Sequence, residues 1–239
     1  MHVKAVRIVH ERYPTRDRHP YDLQVLQATR QLELNWPVTC FIGENGTGKS
    51  TLLRALCRRC GVHIWQRPED TRLEANPYED TFQHMLDVDW TTGPVPGSFF
   101  GSEVFRDFTH LLEEWACEDP GQLQYFGGRS LITQSHGESL MSYFRARYRI
   151  KGLYFLDEPE TALSARTQLA LLRLIMETSA AGHAQFVIAT HSPILMACPG
   201  ARIYSFDASP VRPIPYAEVE QVRLYRDFLN NPTPFLGAN

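Results

Sequence analysis

The chain has 239 residues, 43% of them hydrophobic, and a formal net charge of -3 at pH 7. This size and apolar content predict a folded globular protein with a core, and the small charge gives no global field that would attract nucleic acid. No window approaches the roughly 18 consecutive apolar residues of a membrane-spanning helix, so any membrane role needs a partner chain. The first residues do not resemble a signal peptide, and the five cysteines lack framework spacing. We therefore expect a cytoplasmic protein.

In chain order, runs of branched apolar residues predict strands and a 3.6-residue period predicts helices. The first half of the chain gives strands over Val3–His10, Leu23–Leu34 and residues 38–43, followed by a helix over Lys49–Cys60. Residues 61–96 are polar and rich in proline and glycine. They predict an irregular insertion with at most one helix, over residues 77–86.

The second half of the chain alternates helices with strands. We expect helices over Phe105–Cys117, Glu138–Tyr148, Ala165–Ala181 and residues 221–232, and strands over residues 152–157, 184–190, 202–206 and 213–215. This alternation predicts an α/β fold with a mainly parallel sheet flanked by helices. We expect one domain over residues 1–239, with a core of residues 1–60 and 150–239 and an insertion with a helical subdomain at about 61–149.

The stretch GENGTGKS, residues 43–50, is the strongest motif in the chain. Its glycines let successive N–H groups point inward, and the helix that begins at Lys49 directs its positive end to the same place. The ammonium group of Lys49 is expected against the β and γ phosphates, and the Ser50 hydroxyl on a magnesium ion. The predicted nucleotide-binding residues are Gly43, Glu44, Asn45, Gly46, Thr47, Gly48, Lys49, Ser50 and Thr51. A glycine-rich turn without a ligand is the alternative, and such a match arises by chance in about one chain in a hundred of this length.

A second motif is GLYFLDEPE, an apolar strand that ends in two acids. Carboxylates at the C-terminal ends of parallel strands face the crevice in which open α/β sheets bind ligands. Asp157 is expected to reach magnesium through its water shell, and Glu158 to orient or deprotonate the attacking water. The alternative is that both acids cap the following segment.

A third strand, in FVIATHSP, also ends on polar residues. His191 could donate a hydrogen bond to the γ phosphate there, while Thr190 or Ser192 caps the next segment. A structural histidine is the alternative. The predicted catalytic residues are therefore Glu158, His191 and Lys49, and the predicted metal-binding residues are Ser50 and Asp157.

The order of these motifs, with QSHGES between the first and the second, resembles the ABC-type ATPase family, in particular its small stand-alone members. The resemblance covers roughly residues 20 to 206. It implies a P-loop NTPase fold with N-terminal antiparallel strands, and it implies ATP and Mg²⁺ as ligands. In the family, a signature segment of one subunit closes over ATP held by the other, so the resemblance implies an ATP-dependent head-to-tail homodimer. Ser135, His136, Gly137 and Glu138 occupy the signature and would act in trans.

Several positions depart from the family pattern. His136 and Glu138 replace a glycine and the glutamine of the signature, and residues 161–164 lack the aspartate of the D-loop. Ser102 or Glu103 could take the place of the Q-loop glutamine. Either Tyr13 or Tyr21 could stack on adenine, or both could be packing residues.

The sequence thus predicts an ATPase that uses binding and hydrolysis of ATP as a switch, and it leaves the process that is driven open. A stand-alone regulatory or defence-type ATPase is the first expectation, the ATP-binding subunit of an ABC transporter the second, and a DNA-repair or SMC-like head the third. A P-loop kinase or GTPase is opposed by the signature segment and by the absence of an N-K-x-D motif. The basic run at residues 145–151 either binds nucleic acid or complements a helix C-terminus. A nucleic-acid or other protein partner thus stays possible.

Overall fold

The computed structural model describes residues 1–65, 76–78 and 80–237, apart from the side chains of His136 and Ala162. Within these residues nine strands form two sheets. The strands are β1 (Val3–Ile8), β2 (Gln31–Glu33), β3 (Val38–Ile42), β4 (Leu86–Trp90), β5 (Gly97–Gly101), β6 (Gly152–Asp157), β7 (Ala184–Ala189), β8 (Arg202–Ser205) and β9 (Arg212–Pro213). The helices are α1 (Gln24–Ala28), α2 (Lys49–Arg59), α3 (Ser102–Glu118), α4 (His136–Arg147), α5 (Ala165–Ala180), α6 (Pro193–Met196) and α7 (Glu220–Asn230).

The larger sheet has the strand order β5-β6-β7-β3-β8-β9 and is parallel except for β9. The smaller sheet has the order β2-β1-β4 and is antiparallel. Strands β3, β6 and β7 are buried along their whole length, as expected of a parallel sheet covered on both faces. The α/β fold with a mainly parallel sheet, flanking helices and N-terminal antiparallel strands is therefore confirmed.

Alternate residues of the parallel strands pack into two separate cores. Leu153 and Phe155 of β6 join the core shared with the antiparallel sheet and α2. Tyr154 and Leu156, which point to the opposite face, join the core shared with α3, α4 and α5. The sheet is thus fixed from both sides, and the C-terminal ends of β3, β6 and β7 are held side by side.

The strand expected over Leu23–Leu34 is wrong for most of its length. Its first part forms α1, which buries Val25 and Leu26 against the core, and only β2 is a strand. The hydroxyl of Thr29 donates to the carbonyl of Val25 at 2.6 Å and ends the helix. A helical turn and a strand can bury the same short apolar run, so periodicity alone does not separate them.

The expectation of an irregular segment over residues 61–96 is also wrong in part. Strand β4 lies in this segment and pairs along β1, and β5 follows directly and pairs along β6. The helix expected over residues 77–86 is replaced by a short 3-10 helix, Phe82–Met85, although residue 79 is outside the described residues. In the described residues no helix is both long and apolar enough to cross a membrane.

Candidate functional site

The glycine-rich loop connects β3 to α2 in a tight turn. Gly43, Gly46 and Gly48 have φ values of 141°, 80° and 97°. Residues with a side chain rarely adopt such positive φ angles. A Cβ atom on Gly43 would lie 2.9 Å from Oδ1 of Asp207, and one on Gly48 would lie 3.0 Å from Cδ1 of Leu23. The backbone conformation therefore favours glycine at both positions, and a side chain there would also have to displace that of Asp207 or Leu23.

Lys49 is the first residue of α2 and is buried. Its Nζ atom donates to the carbonyl oxygens of Gly43 and Glu44, at 2.6 and 2.8 Å. Burial lowers the pKa of the Lys49 ammonium, while the surrounding carboxylates, Glu158 first, act in the opposite direction. The loop thus folds around its own lysine. Asn45 and Gly46 are exposed at the rim of this loop.

Ser50 connects α2 to the tip of β6. Its Oγ atom donates to Oδ1 of Asp157 at 2.7 Å, and Nε of Arg54, one turn further along α2, lies 3.3 Å from Oδ2. Burial raises the pKa of Asp157, and the hydrogen bond from Ser50 and the charge of Arg54 lower it in turn. Thr51 follows in α2 and is half-buried. The loop, its helix and the carboxylate strand are therefore held together as one site.

The hydroxyl of Ser50 and the carboxylate of Asp157 form a donor set that fits magnesium. Mg²⁺ prefers oxygen ligands and is usually held by one or two carboxylates together with substrate phosphates and water. In the described residues, no group of three or more His, Cys, Asp or Glu side chains could hold a metal ion.

Glu158 follows Asp157 in the left-handed region, with φ 46° and ψ 54°, and is the one described non-glycine residue with positive φ. Its N–H donates to the carbonyl of Ala189 at 2.9 Å, which ties it to the end of β7. Its Oε1 atom lies 3.6 Å from Nε2 of His191. Within the described residues, Nε2 of His191 is shielded from solvent and has no hydrogen-bond partner. A strained backbone conformation such as that of Glu158 often marks a functional position.

Two further carboxylates belong to this site, and the sequence reasoning did not assign either of them. Oδ1 of Asp207, after β8, accepts the N–H of Glu44 at 2.7 Å. Glu160 accepts the hydroxyl of Thr190 at 2.8 Å and the N–H of His191. The sequence held a signal that could have identified both acids, because each follows the end of a buried strand by two or three residues.

The signature segment lies at the start of α4. Oε2 of Glu138 accepts the hydroxyl of Ser135 at 2.6 Å and its N–H at 3.2 Å, and the N–H bond is one half of a capping box. The position of a Cβ on Gly137 would be 3.6 Å from Oγ1 of Thr167 in α5. Among the side chains that the structure describes, no hydrogen bond or ion pair links Ser135 or Glu138 to the glycine-rich loop. The backbone of His136 opens the helix.

The remaining candidate residues make contacts of other kinds. Tyr21 is fully buried and its hydroxyl bonds Oγ1 of Thr81 at 2.8 Å, so it is a packing residue. Tyr13 is only half-buried, with its ring 4.9 Å from that of Tyr21, and burial raises its pKa. Ser102 bonds Thr161, between their hydroxyl oxygens, at 2.8 Å. Glu103 beside it is exposed.

Two family models match the chain over the parts that build the site. One, described as "AAA domain, putative AbiEii toxin, Type IV TA system", matches residues 140–197, which include β6, β7 and their tips. The other, described as "AAA domain", matches residues 24–67, which include the glycine-rich loop.

Two curated relatives and one solved structure are similar to the chain. The chain is 25% identical over 223 residues to the hemin import ATP-binding protein HmuV of Vibrio parahaemolyticus serotype O3:K6, covering 80% of this chain and 82% of the relative. It is 28% identical over 170 residues to HmuV of Bradyrhizobium diazoefficiens, covering 63% of this chain and 62% of the relative. The structure of "a putative metal-chelate type ABC transporter", in an inward-facing conformation, aligns with a TM-score of 0.50 at 18% identity, over 96% of this chain and 89% of that one.

The fold and the order of the motifs are similar to those of ABC-type P-loop ATPases. The matches to AAA-type family models and to ABC ATP-binding subunits agree, and the chain is ABC-type ATPase-like, as the resemblance of its motifs predicts.

Proposed function

We propose that the chain binds ATP with Mg²⁺ at the glycine-rich loop and hydrolyses it, and that ATP binding brings two copies together head to tail. The observation that supports this most is the hydrogen bond between Ser50 and Asp157, which joins the loop to a carboxylate strand. The Glu158 and His191 side chains lie at the same sheet edge, 3.6 Å apart. These contacts support a γ phosphate bound between the loop, the two carboxylates and the histidine.

The proposed binding step exchanges internal contacts for phosphate contacts. Lys49 leaves the carbonyl oxygens of Gly43 and Glu44 for the β and γ phosphates, while the N–H groups of residues 45–51 line the phosphate chain. Ser50 would hold Mg²⁺ directly and Asp157 through water. When bound, the ion neutralises charge on the phosphate oxygens.

The proposed chemical step is in-line attack of water on the γ phosphorus. The water oxygen forms a bond to phosphorus, the bond to the bridging oxygen of ADP breaks, and Glu158 takes the proton of the water. His191 donates a hydrogen bond from Nε2 to the γ phosphate. Ser135, with His136, Gly137 and Glu138, would close the site from the second copy, because a helix N-terminus favours an anion.

Replacing Glu158 by glutamine tests this function. Glu158→Gln should keep ATP binding but stop turnover, because the amide accepts no proton, and the variant should remain dimeric with ATP. Phosphate release and the mass in solution by light scattering measure the two effects. Glu177→Gln, the same change at an exposed position of α5, is the control and should behave as the unchanged chain does. Turnover at the normal rate in Glu158→Gln contradicts the proposal.

Two processes are candidates for what ATP binding and hydrolysis drive. A stand-alone regulatory or defence-type ATPase in the cytoplasm is our first proposal, since no glutamine stands at the Q-loop position that couples transporters to membrane subunits. The similarity to two hemin import ATP-binding proteins favours the second, an ATP-binding subunit of a transporter. Proteins that co-purify with Glu158→Gln separate them, since a polytopic membrane protein is expected only in the second case.

A further inference from the structure

We propose that Glu160 is a positioning residue, which holds the backbone of His191 so that its imidazole faces Glu158 and the γ phosphate. This inference rests on the proposed function and adds a residue to it. Glu160 lies in the 3-10 turn Pro159–Ala162, directly after the strand that carries Asp157. It is partly buried, and no assigned step uses it.

The carboxylate of Glu160 bridges the ends of two neighbouring strands. Its Oε2 atom accepts the hydroxyl of Thr190 at 2.8 Å, and its Oε1 atom accepts the N–H of His191. Thr190 is fully buried and is fixed further by its own N–H, which donates to the carbonyl of Phe41 at 3.0 Å. The turn after β6 therefore determines where the chain leaves β7.

Both halves of the Glu158 and His191 pair depend on this arrangement. The N–H of Glu158 is held by the carbonyl of Ala189, at the end of β7, and the N–H of His191 is held by Glu160, after β6. The two side chains thus face each other because each strand end anchors the other. No other described side chain accepts the N–H of His191, so without Glu160 the imidazole loses its fixed direction.

Substitution of Glu160 should affect turnover more than binding. Glu160→Ala removes both acceptors, and we expect kcat to fall about 10- to 100-fold with nucleotide affinity unchanged, because misplacement of a reacting group by about 1 Å has an effect of this size. Glu160→Gln should recover most of the rate. Its amide oxygen can accept the N–H of His191, while its NH₂ group donates to the Thr190 hydroxyl. Glu177→Gln is the matched control.

A double substitution separates positioning from a general structural effect. If Glu160 acts through His191, Glu160→Ala should lower kcat no further in a chain that already carries His191→Ala. The backbone amide proton of His191, followed by NMR in the chain without nucleotide, should shift upfield in Glu160→Ala and little in Glu160→Gln. Equal losses with and without His191, or an unchanged amide signal, overturn the inference.

The NMR measurement keeps this inference distinct from the proposed function. If the unchanged chain hydrolyses no ATP, the proposed function fails, and the amide shift alone decides whether Glu160 holds His191. If hydrolysis occurs but the amide does not respond to Glu160→Ala, the function stands and the positioning role is wrong. Thermal unfolding of each variant confirms that the compared chains are folded.

Discussion

Glu138 places a negative charge where the proposed dimer needs to accept a phosphate. The hydrogen bond from the Ser135 hydroxyl, and then the one from its N–H, lower the pKa of Glu138, so the carboxylate is charged at neutral pH. The first of these bonds also occupies the Ser135 hydroxyl, which we propose contacts the ATP of the partner copy. In the proposed dimer, a phosphate would therefore have to displace Glu138 from Ser135.

Glu138→Gln should make the ATP-dependent dimer form more easily. The change removes the repelling charge but keeps an amide oxygen for the N–H of Ser135, and it places a glutamine where the ABC signature has one. In chains that also carry Glu158→Gln, we expect the ATP concentration for half-maximal dimerisation to fall several-fold, as measured by light scattering. Glu177→Gln in the same background is the control. A threshold that stays the same or rises contradicts an inhibitory role for Glu138.

Glu160 should also give the unfolding free energy a measurable pH dependence. Burial raises its pKa above the ordinary value of about 4.3, although the N–H of His191 and the hydroxyl of Thr190 counteract the shift. A carboxyl group with a raised folded pKa binds its proton more tightly in the folded state, so stability falls as pH rises from the unfolded pKa through the folded one.

In Glu160→Gln this group is neutral at every pH. The melting temperature of the variant relative to the unchanged chain should therefore increase as pH rises from about 4 through that window, and the gain should persist at pH 7. Melting temperatures of both chains and of Glu177→Gln across this range measure the effect. A difference between Glu160→Gln and the unchanged chain that is constant with pH would show that burial of the carboxylate has no energetic cost.

At the scale of elements, one buried side chain joins the two sheets. Gln185 of β7 has no exposed surface, and its Oε1 atom accepts the N–H groups of His2 and Val3 at 2.7 and 2.8 Å. Its Nε2 atom donates to the carbonyl of Val3 at 2.9 Å and to that of Leu34 at 2.6 Å. The Gln185 amide thus hydrogen-bonds β1 of the antiparallel sheet to β7 of the parallel sheet.

Gln185→Leu should destabilise the whole chain. Leucine has a similar volume but leaves the backbone groups of His2, Val3 and Leu34 without partners, and each unsatisfied buried group costs about 1–3 kcal/mol. We expect a loss of roughly 3–5 kcal/mol in the free energy of unfolding by urea. Gln124→Leu, at an exposed position, controls for the added apolar surface. A loss below about 1 kcal/mol would mean that water replaces the amide contacts.

The elements that carry the site were predictable because each has a strong local pattern. Strands β3, β6 and β7 are mostly apolar and are followed by polar or glycine residues. The glycine pattern before α2 is typical of a phosphate-binding loop. Strand β4 was missed because aspartate has a low strand propensity, and Asp87 and Asp89 are stabilised there by pairing with β1, a long-range contact. Strand β5 was missed because its glycines suggest a loop. Gly97 is needed because a Cβ there would lie 2.2 Å from the carbonyl oxygen of Leu153.

Within the site, the sequence motifs predicted which residues bind the ligand, but they did not predict which residues hold these in place. The pairing of Ser50 with Asp157 follows from two familiar motifs, whereas the contact of Asp207 with Glu44 depends on β8 lying beside β3. The bridge from Glu160 to His191 likewise depends on the adjacency of β6 and β7. Such partners become visible only once strand order is known, because strand order in a parallel sheet is not sequence order.

For the whole molecule, the proposed cycle requires two copies. The glycine-rich loop lies at the edge formed by β3, β6 and β7, while Ser135 begins a helix that packs against α5 and bonds Glu138. In a head-to-tail pair each ATP would contact the loop of one copy and the signature of the other. A defect in the loop and a defect in the signature should then be separable between the two copies.

Mixing two inactive variants tests this arrangement. Lys49→Met removes the phosphate-binding ammonium and Ser135→Ala removes the signature hydroxyl, so each variant alone should hydrolyse little ATP. In a mixed pair, one site combines the intact loop of the Ser135→Ala chain with the intact signature of the Lys49→Met chain. Random pairing of equal amounts should restore about a quarter of the normal rate, since half of the pairs are mixed and each has one working site. Activity that stays at the level of the separate variants would mean that Ser135 does not act across the pair, because no intact site can form within either single chain.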